Sequence, residues 1–159
     1  MGRVPETFLQ PYAQLLLLLH AASAIVLIGS TTHHFLIALG YVRGRFKLRL
    51  GRIYAAVVVA AYSVTFLMGS LAYPTYRYFV RALYLDRYAP WASNLFDIKE
   101  NLASLGLFLS LGTFVVSRVM DPKEDRYMVL GYAGMVFLTA AIVWFDVISG
   151  LLITITKGV

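Results

Sequence analysis

The chain has 159 residues, 60% hydrophobic and 14% charged, with a mean hydropathy of +0.73, a composition that excludes an ordinary water-soluble domain and points to a protein built for lipid. Its formal charge of +6 would suit nucleic acid, but the basic residues flank apolar runs and form no soluble basic face, so no nucleic-acid partner is expected. With no cysteine, disulfides, thiolate metal sites, iron–sulfur clusters and c-type haem attachment are excluded.

Four apolar runs, at about 13–41, 53–73, 97–117 and 128–156, reach the roughly 20 residues needed to cross about 30 Å of hydrocarbon. The expected fold class is all-α: a single transmembrane domain over 1–159, an integral membrane antiparallel four-helix bundle with an interfacial amphipathic helix between spans 2 and 3. The first run is longer than a signal-peptide core and lacks a basic leader, so it is expected to remain as a helix. The link after it, YVRGRFKLRLGR, carries Arg43, Arg45, Lys47, Arg49 and Arg52 with no acid, which marks it as cytoplasmic. Both termini then face outward, and the setting expected is the inner (plasma) membrane of a prokaryote.

The connection at 74–96, PTYRYFVRALYLDRYAPWASNLF, alternates Tyr76, Tyr78, Phe79, Tyr84, Tyr88 and Trp91 with Arg77, Arg81 and Arg87. That is the composition of a helix lying in the headgroup layer, bounded by Pro74 and Pro90. An aromatic belt explains it most simply; a pocket beneath it for a quinone or a lipid headgroup is the alternative. The link at 118–127 mixes Arg118, Lys123 and Arg126 with Asp121, Glu124 and Asp125 and agrees weakly with a cytoplasmic location. Small residues that let helices approach closely are Gly69 and Ser70 on the second run, Ala103, Gly106, Ser110 and Gly112 on the third, and Gly131, Gly134 and Gly150 on the fourth.

All three histidines, His20, His33 and His34, lie in the first run. At about 100° and 1.5 Å per residue, His20 and His34 fall within about 40° of one another and about 21 Å apart along the helix. They share one stripe with Ala24, Leu27 and Thr31, while His33 points away. Ionisable groups inside a span usually face the bundle interior and act there, although a lone histidine often only bonds neighbouring helices.

The H-x13-H spacing resembles that of membrane b-type cytochromes, in which two histidines of one helix ligate stacked haems. Leu19-His20 followed by Ala24 and Leu27-Ile28-Gly29 resembles the opening helix of copper-resistance D-type proteins. With Arg49-Leu50-Gly51-Arg52 entering the second helix, the stretch is also similar to membrane protoporphyrinogen oxidases of the HemJ kind. These resemblances imply haem b or copper at His20, and for the cytochrome case a second haem at His34.

A second set of polar groups falls at the depth of His20. Asp146 in VWFDVISG, and Asp97, Lys99, Glu100 and Asn101 in FDIKENLASLG, sit near the outer ends of their runs, with Met68 at a similar level. Asp146, flanked by Trp144, Phe145, Val147 and Ile148, must be paired or protonated, with His20 or Lys99 as partner. Simpler roles are snorkelling for Lys99 and Glu100, a helix cap for Asp97 and core filling for Met68.

The leading expectation is a membrane b-type haem protein for transmembrane electron transfer, with His20 and His34 as ligands and Arg43 and Arg45 near the propionates. It would act as a homodimer or in a larger membrane redox complex, with a quinone as a further partner and any catalysis that of an oxidoreductase. His33, Lys99, Glu100 and Asp146 would supply outer ligation or proton transfer. The alternatives are a copper-handling or proton-coupled transport protein using His20, Met68 and Asp146, and an accessory subunit whose histidines only hold helices together. Soluble-enzyme signatures (P-loop, G-x-G-x-x-G, G-x-S-x-G, H-E-x-x-H) are absent from the sequence.

Overall fold

The computed structural model describes residues 6–121 and 125–157; Lys123 and Glu124, counted above in the second link, lie outside the described residues. After a single 3-10 turn at Gln10–Tyr12, the chain forms α1 (Ala13–Val42), α2 (Leu48–Tyr76), a π-helical stretch (Arg77–Leu85), α3 (Asp86–Tyr88), α4 (Pro90–Val119) and α5 (Arg126–Thr156). No strand occurs among the described residues. Four of these helices are long and apolar enough to cross a membrane.

Each long helix buries one stripe, spaced alternately three and four residues apart, the rhythm by which side chains of one helix seat between those of another. On α2 the stripe is Gly51, Ala55, Val58, Tyr62 and Thr65; on α4 it is Gly106, Ser110, Thr113 and Ser117; on α5 it is Tyr132, Val136, Thr139 and Val143. On α1 it runs through Leu27, Thr31, His34, Ala38 and Tyr41. The pairs α1–α2, α4–α5, α1–α5 and α2–α4 pack together, closing a four-helix arrangement. The opposite faces present Leu18, Ile25, Phe108, Val115, Leu151 and Ile155, all exposed.

Residue pairings fix how α1 and α2 lie. The His20 ring rests on Gly69, and the Tyr41 hydroxyl lies against Gly51, where a Cβ would collide with it. The turn between these helices closes through Gly44 at φ 76°, with its N–H on the Tyr41 carbonyl and the Arg45 N–H on the Gly40 carbonyl. That pattern ends a helix on a left-handed residue, which glycine adopts at no steric cost.

The connection between α2 and α4 departs from the sequence expectation. Pro74 lies inside α2 and does not end it; the helix instead runs on from Leu48 to Tyr88. A proline ring removes one backbone donor and crowds the carbonyl four residues back, yet α2 keeps α geometry through that turn, and the chain widens into π geometry only from Arg77. Pro90 does mark a boundary, at the first turn of α4 after Ala89 leaves helical geometry at φ −145° and ψ 61°. Asp97 therefore sits well inside α4 and caps nothing. Both of its carboxylate oxygens accept from the Arg81 guanidinium, at 2.6 and 2.8 Å. Arg81 also approaches Asp86 at 3.7 Å, and Asp86 accepts a hydrogen bond from Ser93. Beneath this corner Val80, Leu85, Ala89 and Ala92 pack with Ile153.

Candidate functional site

The buried stripes form layers, and the polar ones alternate with apolar ones. At one end Ala38, Tyr41, Val129, Tyr132, Ala133 and Val136 form an apolar and aromatic layer with Met120. Above it, His34, only 2% exposed, shares a 2.6 Å hydrogen bond from Nε2 with the Tyr132 hydroxyl. Tyr132 in turn stacks on Tyr41, ring centres 5.7 Å apart. Next to His34 lies a cavity of ≈ 10 Å³ lined by Thr31, Ser110, Thr113 and Thr139 together with Ala55, Val58 and Val136, about the room one water molecule needs. These hydroxyls turn back to carbonyls of their own helices: Thr31 to Leu27, Ser110 to Leu107, Thr113 to Leu109 and Thr139 to Met135.

Leu27, Val58, Ala61 and Val143 then form an apolar layer to which the Tyr62 ring belongs. The Tyr62 hydroxyl is pressed against Gly106, where a Cβ would overlap it, and it is buried with no hydrogen-bond partner.

Beyond that layer three of the long helices, α1, α4 and α5, contribute a titratable side chain. From α1, His20 donates through Nδ1–H to the Thr65 carbonyl at 2.9 Å, which in the neutral ring leaves Nε2 as the acceptor. From α4, the Lys99 stem runs along α5, its Cε 3.6 Å from where a Gly150 Cβ would stand. From α5, Asp146 sits one turn before Gly150 with Oδ1 buried and unpartnered. Lys99 acts electrostatically on both His20 and Asp146, and Asp146 on Tyr62 of α2. No direct ion pair joins Lys99 to Asp146 among the described residues, where the ion pairs are those of Arg81.

No family model, curated protein or solved structure matches this chain. The assignment of a role therefore rests on the site itself.

The remaining residues singled out by sequence lie elsewhere. His33 is exposed, donates to the Gly29 carbonyl at 2.8 Å and stacks on Tyr54 with ring centres 5.6 Å apart. Arg43 and Arg45 are exposed in the link between α1 and α2. Met68 and Glu100 are half-buried, and Glu100 feels the charge of its neighbour Lys99. Gly131 and Gly134, expected at a helix contact, face open space.

The arrangement tests the fit of a haem between His20 and His34. Tyr132 occupies one His34 nitrogen, and the adjoining cavity is of water size, so the interior of one chain does not hold a macrocycle there. Among the described residues no three His, Asp or Glu side chains gather closely enough to hold a metal ion. Tyr62 and Tyr132 are the two residues that sequence reasoning missed. Each carries a hydroxyl into the inward stripe of its helix, a signal present in the three-and-four spacing with Thr65 and Val136.

Proposed function

We propose that the protein spans a membrane as an antiparallel bundle, with the basic 43–52 link on the cytoplasmic side, and that it moves protons through its interior. Protons enter at the outer cluster of His20, Lys99 and Asp146, pass the apolar layer beside the Tyr62 hydroxyl, and reach the hydroxyl-lined cavity and His34. The Tyr132 and Tyr41 rings continue the file toward Arg52, whose Nε donates to the Ser117 carbonyl at 3.0 Å. A neutral proton relay needs groups that both give and take a proton, and hydroxyl, imidazole and protonated carboxyl all do.

One observation carries this reading. Asp146 Oδ1 and Tyr62 Oη are buried without a partner on facing helices, an arrangement that costs about 1–3 kcal/mol for each group. The Tyr76 hydroxyl at the end of α2 carries the same cost off this path, so it is the buried carboxylate, a group kept inside a membrane where it serves a proton path, that supports the reading. The apolar layer of Leu27, Val58 and Val143 supports coupling over free leakage, because it interrupts the polar file between its two ends.

The test is proton flux into liposomes carrying the purified protein and an entrapped pH dye, driven by a potassium diffusion potential. Wild-type protein is expected to acidify the lumen well above protein-free vesicles, and Asp146→Asn to lower that rate at least about tenfold. Wild-type flux equal to that of empty vesicles would overturn the proposal.

A second reading keeps haem b or copper, held between the half-exposed His20 rings of two copies in a dimer. It is supported by the position of His20 at the edge of the α1–α2 contact, with Nε2 available. A visible spectrum of the purified protein decides it: a Soret band lost in His20→Leu supports haem, and a colourless, metal-free protein removes this reading.

A further inference from the structure

The π-helical stretch creates a second polar feature, independent of the interior. Where the helix widens after Pro74, an open groove of ≈ 310 Å³ forms between Tyr73, Pro74, Arg77, Tyr78 and Ala82. Arg77 lines it, and Arg81 lies one turn farther along the same stretch, in the opposite situation. Arg81 is saturated by the two oxygens of Asp97 and the nearby Asp86. Arg77 is exposed, with no ion pair among the described residues.

Depth gives the groove its medium. Counting about 20 residues of hydrocarbon-spanning helix from Arg52, the last cation of the basic link, brings α2 to residues 72–73, so the groove opens where acyl chains give way to headgroups. Tyrosine rings with their hydroxyls favour that boundary. Below the groove, the lipid-facing surface continues through exposed Val64 and Leu67, which suits an acyl chain rather than a free ion.

We infer that this groove binds the headgroup of an anionic glycerophospholipid, its phosphate on the Arg77 guanidinium and its polar end beside the Tyr73 and Tyr78 hydroxyls. Guanidinium and phosphate match in charge and in paired hydrogen-bond geometry. The aromatic pairing of Tyr73 with Phe96, centres 6.0 Å apart and planes within 3°, fixes one wall of the groove to α4.

Native mass spectrometry of the full chain, released from mixed micelles containing equal phosphatidylglycerol and phosphatidylcholine, tests this. Wild-type protein is expected to retain phosphatidylglycerol at least fivefold over phosphatidylcholine. Arg77→Gln should abolish the preference, whereas Arg87→Gln, an exposed arginine outside the groove, should keep it. Equal retention by wild type and Arg77→Gln, or equal losses in both variants, would overturn the site. So would displacement of the lipid by millimolar inorganic phosphate, which would make it a free-anion site. Thermal melting of Arg77→Gln close to wild type shows that any loss is of binding and not of fold.

Discussion

The two polar centres of the bundle are built from similar groups and are finished differently. Around His34 the imidazole Nε2 meets the Tyr132 hydroxyl, and the nearby hydroxyls return to their own backbones. Around Asp146 they do not, and two buried oxygens, of Asp146 and Tyr62, remain without partners although a lysine is near. The satisfied centre rigidifies; on the proposed proton path the unsatisfied one is where exchange needs no bond broken first. That contrast is why the working end of the molecule is assigned to the Asp146 side.

Four substitutions break or sharpen this contrast. The largest effect is expected for His34→Ala, which opens a hole in a filled layer and leaves the Tyr132 hydroxyl alone: about 3 kcal/mol of stability lost, read as a fall in melting temperature in detergent. A loss under about 1 kcal/mol would mean that the His34 centre is not structural. Gly106→Ala follows, at about 1–3 kcal/mol, because the new methyl and the Tyr62 ring cannot share the space. It should also cut proton flux by displacing the Tyr62 hydroxyl; flux unchanged beside a clear loss of stability would take Tyr62 off the path.

Asp146→Asn is expected to leave melting unchanged or raise it by up to about 1 kcal/mol, since an amide is cheaper to bury than a carboxylate, while flux falls. A large destabilisation would recast Asp146 as a structural anchor. The smallest effect belongs to His33→Gln, within about 0.5 kcal/mol, because its ring lies on the exposed flank against Tyr54.

Much of the architecture was legible in the sequence, because apolar length and helical period are local properties. Four runs became four long helices, extended by several residues at their ends: 53–73 became Leu48–Tyr76 and 97–117 became Pro90–Val119. The angular arithmetic that separated His33 from His34 depends only on helix geometry, and the two rings do lie on different faces. Partners across the bundle were not legible. Tyr132 and Tyr62 are two of eleven tyrosines, and nothing local tells a tyrosine that will face His34 from one that will sit in a headgroup layer.

Pro74 misled for a different reason. Its local preference is to end a helix, but the packing of Val80 and Leu85 beneath the corner makes continuing with a wider turn the lower-energy course. Lys99, expected to reach outward, does turn back toward Phe96, its amine 5.8 Å from the ring centre, with its stem in the furrow that Gly150 leaves.

The unbroken passage from α2 through the π-helical stretch to α3, with Ala89 as the sole residue leaving helical geometry before α4, has a mechanical meaning. Two rods joined at a single residue and pinned by the Arg81–Asp97 fork cannot tilt independently, so they behave as one bent lever. A push on the elbow, from lipid or from a neighbouring protein, would therefore be felt deep in the arms, where Tyr62 on one leans on Gly106 of the other.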